Sequence, residues 1–176
     1  MHELLKLARK TLSSYFKNQE FEVPDSIKIK YSEKRACFIT LRKNGKLRGC
    51  IGSLIPSKKL WVDVQENAIN SAFHDPRFLP VEENELDKIK IEISVLTLPE
   101  KLEFKNEKEL LKKLNKNKGV IIKKGFNQAT YLPQVWEQIP DKQEFLSSLC
   151  LKAGLTADSW KKDVEVYVYE VEKIEE

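Results

Sequence analysis

Apolar residues recur along this chain at two periods, and the switches between them mark out its elements. Leu4, Leu5, Ala8, Leu12, Tyr15 and Phe16 return every three or four positions, which predicts a helix over about His2 to Asn18. Beyond a loop from Phe21 to Asp25, the alternation of Ile27, Ile29 and Tyr31 predicts a strand. The β-branched and apolar run from Cys37 to Lys43 meets Asn44-Gly45, a strong two-residue hairpin signal, and Leu47 to Gly52 forms the return arm. Pro56-Ser57 interrupts the pattern, and Ser57 is placed to cap a second helix. Trp61, Val64, Ala68, Ile69 and Ala72 lie on its apolar face, and Pro76 stops it near His74-Asp75.

The second half repeats the same vocabulary. Ile89, Ile91, Ile93 and Val95 alternate with Lys90, Glu92 and Ser94 as a half-buried strand. Asn106 and Glu109 resemble a capping arrangement for a helix carrying Leu110, Leu111 and Leu114, with Gly119 as its stop. Val120–Ile122 and Thr130–Leu132 pair across Lys124–Gln128. A further helix opens at Asp141 and Glu144, carries Phe145, Leu146, Leu149 and Cys150, and ends at Gly154. Val164, Val166, Val168 and Val171 give a last strand. Hairpins at two places with about four helices indicate an α+β fold on a mixed, largely antiparallel sheet.

Composition changes this picture little. A chain of 176 residues forms one domain, or one with a lobe, spanning 1–176, and buries ~70% of its unfolded surface. The 33% charged content and formal charge of +4 describe a globular protein with a charged, mildly basic exterior. Weak nucleic-acid attraction is allowed by that charge but not required. No apolar run approaches the ~20 residues of a membrane span, and the start lacks a signal-peptide core, so the expected location is cytoplasmic with no membrane role. Three widely spaced cysteines, Cys37, Cys50 and Cys150, indicate reduced thiols.

The return arm of the first hairpin is where the pattern breaks. Gly49 and Gly52 bracket Cys50, and a glycine inside a strand gives up roughly 0.5–1 kcal/mol, which suggests a bulge or a place where something approaches the backbone closely. Taken literally, the register set by Asn44-Gly45 puts Cys50 opposite Ile39 and Arg48 opposite Leu41, with a bulge at Gly49 able to change both pairings. Arg48 and Cys50 then share a face with Cα atoms about 6.6–6.8 Å apart. A guanidinium about 6 Å from the sulfur is worth roughly 0.7–2.8 kcal/mol to a thiolate at effective dielectrics between ~20 and ~80. Flanking glycines would leave the sulfur open and free N–H groups for an anion. The opposing view is that a free Cys is a small buried hydrophobe, which is the reading for Cys37 and Cys150.

Other candidates are fewer. His74 sits on a helix-ending loop and is the available base for a thiol nucleophile, while His2 lies at the terminus. Glu92 lies mid-strand, as a general base, an arginine partner or a solvated residue. Thr40 and Arg42, on the outgoing arm, are placed to line the opposite face of the hairpin, with a solvated surface as the default reading. Metal spacings such as CxxC and HExxH are absent, and GCIGS lacks the spacing and lysine of a phosphate loop, so no cofactor is expected.

LRGCIG at Leu47–Gly52 resembles the hallmark of the AMMECR-type domain family, the A component of the AmmeMemoRadiSam system. SAFHDPRFLPV at Ser71–Val81, IEISVLTLPEKL at Ile91–Leu102, TYLPQVW at Thr130–Trp136 and FLSSLCLKAGL at Phe145–Leu155 extend it in order. The resemblance implies two lobes with LRGCIG at a cleft between them. It also marks Arg77, in the DPRF block, as able to clamp a carboxylate or phosphate, or to tie the loop to an acid such as Glu92. The expected site is therefore Cys50 and Arg48, with Gly49, Gly52, Arg77, Glu92 and His74 around the substrate. The implied partners are a Memo-like dioxygenase-fold protein and a radical-SAM protein. Three functions stay open: a small enzyme or modification-pathway component using the Cys50 thiolate, a non-catalytic adaptor in which LRGCIG defines the fold, and an RNA-binding protein.

Overall fold

The structure is a computed structural model and describes residues 2–176. Its contacts divide the chain into two units, residues up to Leu96 together with Glu172–Glu176, and Thr97–Val171. Each unit carries helices and its own four-stranded sheet. The class is α+β, as expected, with two sheets in place of one.

The first unit begins with α1 (Glu3–Phe16), capped by the His2 ring, which accepts from the Leu4 N–H. Its stripe of Leu4, Leu5, Ala8 and Leu12 is almost wholly buried, at roughly 1.5–3 kcal/mol for each fully buried leucine. The expected strand at Ile27–Tyr31 is instead a short helix, α2 (Asp25–Lys30). Pro24 pre-sets the entering backbone and Asp25 supplies first-turn negative charge. Helical spacing puts Ile27 and Tyr31 together against the core and leaves Ile29 74% exposed, which a strand would not do. Five alternating positions were too few to separate the two periods.

Strands β1 (Cys37–Lys43) and β2 (Lys46–Gly52) form the expected hairpin. Asn44 and Gly45 both take positive φ, 52° and 76°, as a two-residue turn of this kind demands. Helix α3 (Leu60–Phe73) follows, starting after Lys59 with no side-chain cap, so Ser57 does not serve as one. A 3-10 turn at Glu83–Lys88 leads into β3 (Ile89–Leu96). β1 lies between β2 and β3, antiparallel to both. Ile39, Leu41, Ile91 and Ile93 point to one face of this sheet and pack with α1 and α3.

The second unit holds β4 (Glu100–Lys101), α4 (Glu107–Lys113), β5 (Gly119–Lys124), β6 (Asn127–Tyr131), α5 (Val135–Gln138), α6 (Lys142–Lys152), a 3-10 turn at Ser159–Lys161 and β7 (Glu165–Tyr169). The Asn106 side chain accepts from the Glu109 N–H, as the spacing suggested. Gly119 does not stop α4, which ends at Lys113; it opens β5 instead. Asp141 caps α6 through the N–H groups of Gln143 and Glu144. The core centres on Phe145, stacked 3.5 Å from Trp136, beneath Val120, Ile122 and Val166. The last valine run is two strands: it breaks at Glu170, and β8 (Val171–Glu175) joins the first sheet beside β3. No helix among the described residues is long and apolar enough to cross a membrane.

Candidate functional site

The hairpin carries a bulge one residue before the position that sequence pattern suggested. Leu41 pairs with Gly49 but Arg42 with Leu47, so Arg48 is the extra residue of β2. A one-residue shift moves every later side chain to the other face. Cys50 therefore lies opposite Thr40, not Ile39, and Gly49 takes the place opposite Leu41 that Arg48 was expected to fill. Thr40 in turn pairs with Glu92 of β3. Directly opposed residues share a face. Cys50, Thr40 and Glu92 thus make one polar row across three strands, on the face opposite Leu41 and Ile91.

The Cys50 sulfur is 3.3 Å from Thr40 Oγ1. Thr40 is buried, Cys50 half-buried, and Cys37 and Cys150 are sealed in their cores. Burial pushes the Cys37 thiol well up, with Asp63 adding to it, and burial pushes the Cys150 thiol up as well. Glu92 is held by Lys173 at 3.2 Å and by Arg42 at 3.6 Å. It is not an ion-pair partner of Arg77.

Arg48 is committed elsewhere. Its guanidinium donates to Glu85 through Nε (3.1 Å) and Nη2 (2.8 Å), and to the carbonyls of Leu79 and Pro80. Arg48, with Lys43 and the Glu82 N–H, holds the buried Glu85 carboxyl well below the usual carboxylate range. No hydrogen bond or ion pair joins Arg48 to the sulfur among the described residues. It fastens the bulge to the segment before β3.

The glycines answer to packing. A Cβ on Gly49 would sit 2.0 Å from the Ser71 carbonyl oxygen, so α3 lies backbone against β2 there. A Cβ on Gly52 would fall 2.3 Å from the Phe38 ring and 2.6 Å from the Cys37 carbonyl oxygen. Gly49 is required by the close approach of α3, and Gly52 by the close approach of β1 within the hairpin.

The DPRF segment grips the peptide of Cys50 at both ends. Asp75 Oδ2 accepts from the Cys50 N–H at 2.8 Å, and Arg77 Nη2 donates to the Cys50 carbonyl at 3.1 Å. The two side chains are also paired at 2.7 Å. Arg77 first, then the Cys50 and Arg77 N–H groups, hold the buried Asp75 carboxyl far below its ordinary value. The Arg77 side chain is 54% exposed, and its Nη1 makes no hydrogen bond among the described residues. His74 is the exposed C-cap of α3, and no bond joins its ring to Cys50.

Asp75 ends a polar series that pattern reading passed over. Asp63, Asn67, Ser71 and Asp75 recur every fourth residue. Asp63 accepts from the Cys37 N–H at 2.8 Å, and Asn67 donates to the Cys37 carbonyl. Ser71 donates to the Ile39 carbonyl and accepts from the Ile51 N–H. The series adjoins the apolar positions Val64, Ala68 and Ala72, so it faces the core edge where polar side chains need partners. That adjacency was the available signal. Among the described residues no group of three or more His, Cys, Asp or Glu is placed to hold a metal ion.

Comparison with known proteins follows the same chain from end to end. The AMMECR1 family model matches residues 5–174. Protein NEQ441 of Nanoarchaeum equitans is 43% identical, with 98% of each chain covered. Protein Mbar_A1807 of Methanosarcina barkeri is also 43% identical, over 94% of this chain and 85% of its own. The crystal structure of uncharacterized protein PH0010 from Pyrococcus horikoshii superposes with a TM-score of 0.85 at 38% identity, covering 98% of this chain and 89% of that one.

Proposed function

This chain belongs to the AMMECR1 family, and from that premise we propose that it holds or modifies a substrate at the polar row Cys50–Thr40–Glu92, through the Cys50 thiol. One observation carries the reading: Cys50 is the cysteine left half-open, its sulfur beside the Thr40 hydroxyl, whereas Cys37 and Cys150 are fully buried. A peptide clamped at both N–H and C=O fixes the direction of that sulfur, the kind of preorganisation a binding or reacting group requires. The free edge of Arg77, beside the Cys50 carbonyl, suits a carboxylate or phosphate on the substrate. Arg48 and Glu85 act in this scheme by setting the bulge and hence the register, as positioning residues.

Iodoacetamide labelling of the native protein, read by peptide mapping, tests it. Cys50 is expected to label about a hundredfold faster than Cys37 and Cys150, which need the chain to open first. Equal labelling of all three only under denaturing conditions would remove the thiol from the proposal.

A second reading, an adaptor, draws on a different observation. Leu79 is 84% exposed while its carbonyl is held by Arg48, so the loop presents an apolar knob on a fixed backbone. The Memo-like and radical-SAM proteins implied by the family resemblance are the proposed partners on either reading. Leu79→Asp separates the two: it abolishes co-elution with a partner under the adaptor reading and leaves Cys50 labelling unchanged.

A further inference from the structure

Away from the hairpin, a groove of about 500 Å³ runs between α1 and the segment leading into α2. Leu7, Phe21, Pro24 and Ile27 line it, and Lys6 and Lys10 stand on its rim. Its volume falls within the ~300–1,000 Å³ of small-molecule pockets. The two rim lysines are one helical turn apart and exposed, and neither has a carboxylate within ion-pair distance among the described residues. The other charges here are already engaged. Arg9 is bound to the Leu86 and Ile89 carbonyls and to Glu176, and Glu3 is bound to Lys30 and Tyr31.

Two like charges at this spacing repel each other on a helix. Placed over an apolar floor, they complement a molecule with one anionic end and a hydrocarbon body. We propose that this groove binds a small amphipathic anion, its apolar part against Phe21, Pro24 and Ile27 and its carboxylate between Lys6 and Lys10. The size of the groove and the paired cations select this occupant over a partner helix, which would need a longer apolar track.

Calorimetric titration of the full chain with decanoate tests the assignment. One saturable site per chain is expected. The K6E/K10E variant, altered only at exposed positions, binds at least tenfold more weakly, and Ser26→Trp, which fills the groove from an exposed position, abolishes binding. Decanol, matched in length but uncharged, also binds at least tenfold more weakly. Absence of a saturable site, or equal affinity in K6E/K10E, overturns the proposal. So does decanol binding as tightly as decanoate, or an acidic amphipathic peptide that binds here and resists displacement by decanoate.

Discussion

Cys37 and Cys50 are held by the same device and end in opposite circumstances. Each donates its N–H to an aspartate of the α3 series at 2.8 Å, Cys37 to Asp63 and Cys50 to Asp75. At the Cys37 end the gap between helix and hairpin is spanned by side chains, Asp63 and Asn67, and the sulfur is fully buried. At the Cys50 end, Gly49 lets the backbones touch, and the sulfur turns to the other face of the sheet beside Thr40. Backbone anchoring is thus common to both and cannot by itself make a thiol reactive. What differs is the bulge, which decides the face.

The contrast is broken most severely at Gly49. A methyl group 2.0 Å from the Ser71 carbonyl oxygen cannot be relieved by a side-chain rotation, because both sides of the contact are main chain. Gly49→Ala should cost about 3 kcal/mol, the upper part of the usual overpacking range, measured as a fall in the urea midpoint with an unchanged slope. Unaltered stability would mean that helix and hairpin are not in backbone contact there.

Asp75 comes next, and its effect depends on pH. Its folded-state carboxyl, like that of Glu85, is held below the ordinary value. Unfolded carboxyls titrate near ~3.9 and ~4.3. A depressed folded pKa gives stability that is complete above the unfolded value and is lost as pH falls below it towards the folded one. Exchange protection of the Cys50 amide should therefore decline below about pH 4. Asp75→Ala should cost about 2 kcal/mol at neutral pH, as for a hydrogen bond to a charged group, and should unprotect the Cys50 amide while sparing that of Cys37. Equal loss at both amides would merge the two ends into one cooperative unit.

These particulars show what was legible in the chain. The Asn44-Gly45 turn, the α1 and α3 stripes and the alternation of β3 were visible because each is a local pattern with a local cause. The bulge at Arg48 was not, because its cause is Glu85, 37 residues away in sequence. From that one displaced residue followed the wrong partners for Cys50 and the wrong neighbour for Arg48. The glycines pointed to a bulge or a close approach to the backbone, and both are present, but not to what comes close. Their reason, contact with Ser71 and Phe38, lay in tertiary packing that no spacing rule carries. Arg77 was singled out for a carboxylate, a phosphate or an acid such as Glu92, yet it meets Asp75 and the Cys50 carbonyl, and a backbone target leaves no side-chain signature in a sequence.

The smallest effect bears most directly on chemistry. Thr40 is 8% exposed, and its hydroxyl finds one partner among the described residues, the Cys50 sulfur. Either atom of this pair can be the donor; with Thr40 as donor, as for a buried hydroxyl that directs its proton to the acceptor it has, the contact holds the sulfur in one orientation for attack. Valine at this position keeps the shape and removes the donor. Thr40→Val should slow Cys50 labelling about three- to fivefold, equivalent to the ~0.5–1 kcal/mol of one modest hydrogen bond, and should leave the labelling of Cys37 tied to global unfolding. Faster labelling would show the hydroxyl accepting from the thiol and shielding it, and Cys50 would then resemble Cys37 in chemistry as well as in anchoring.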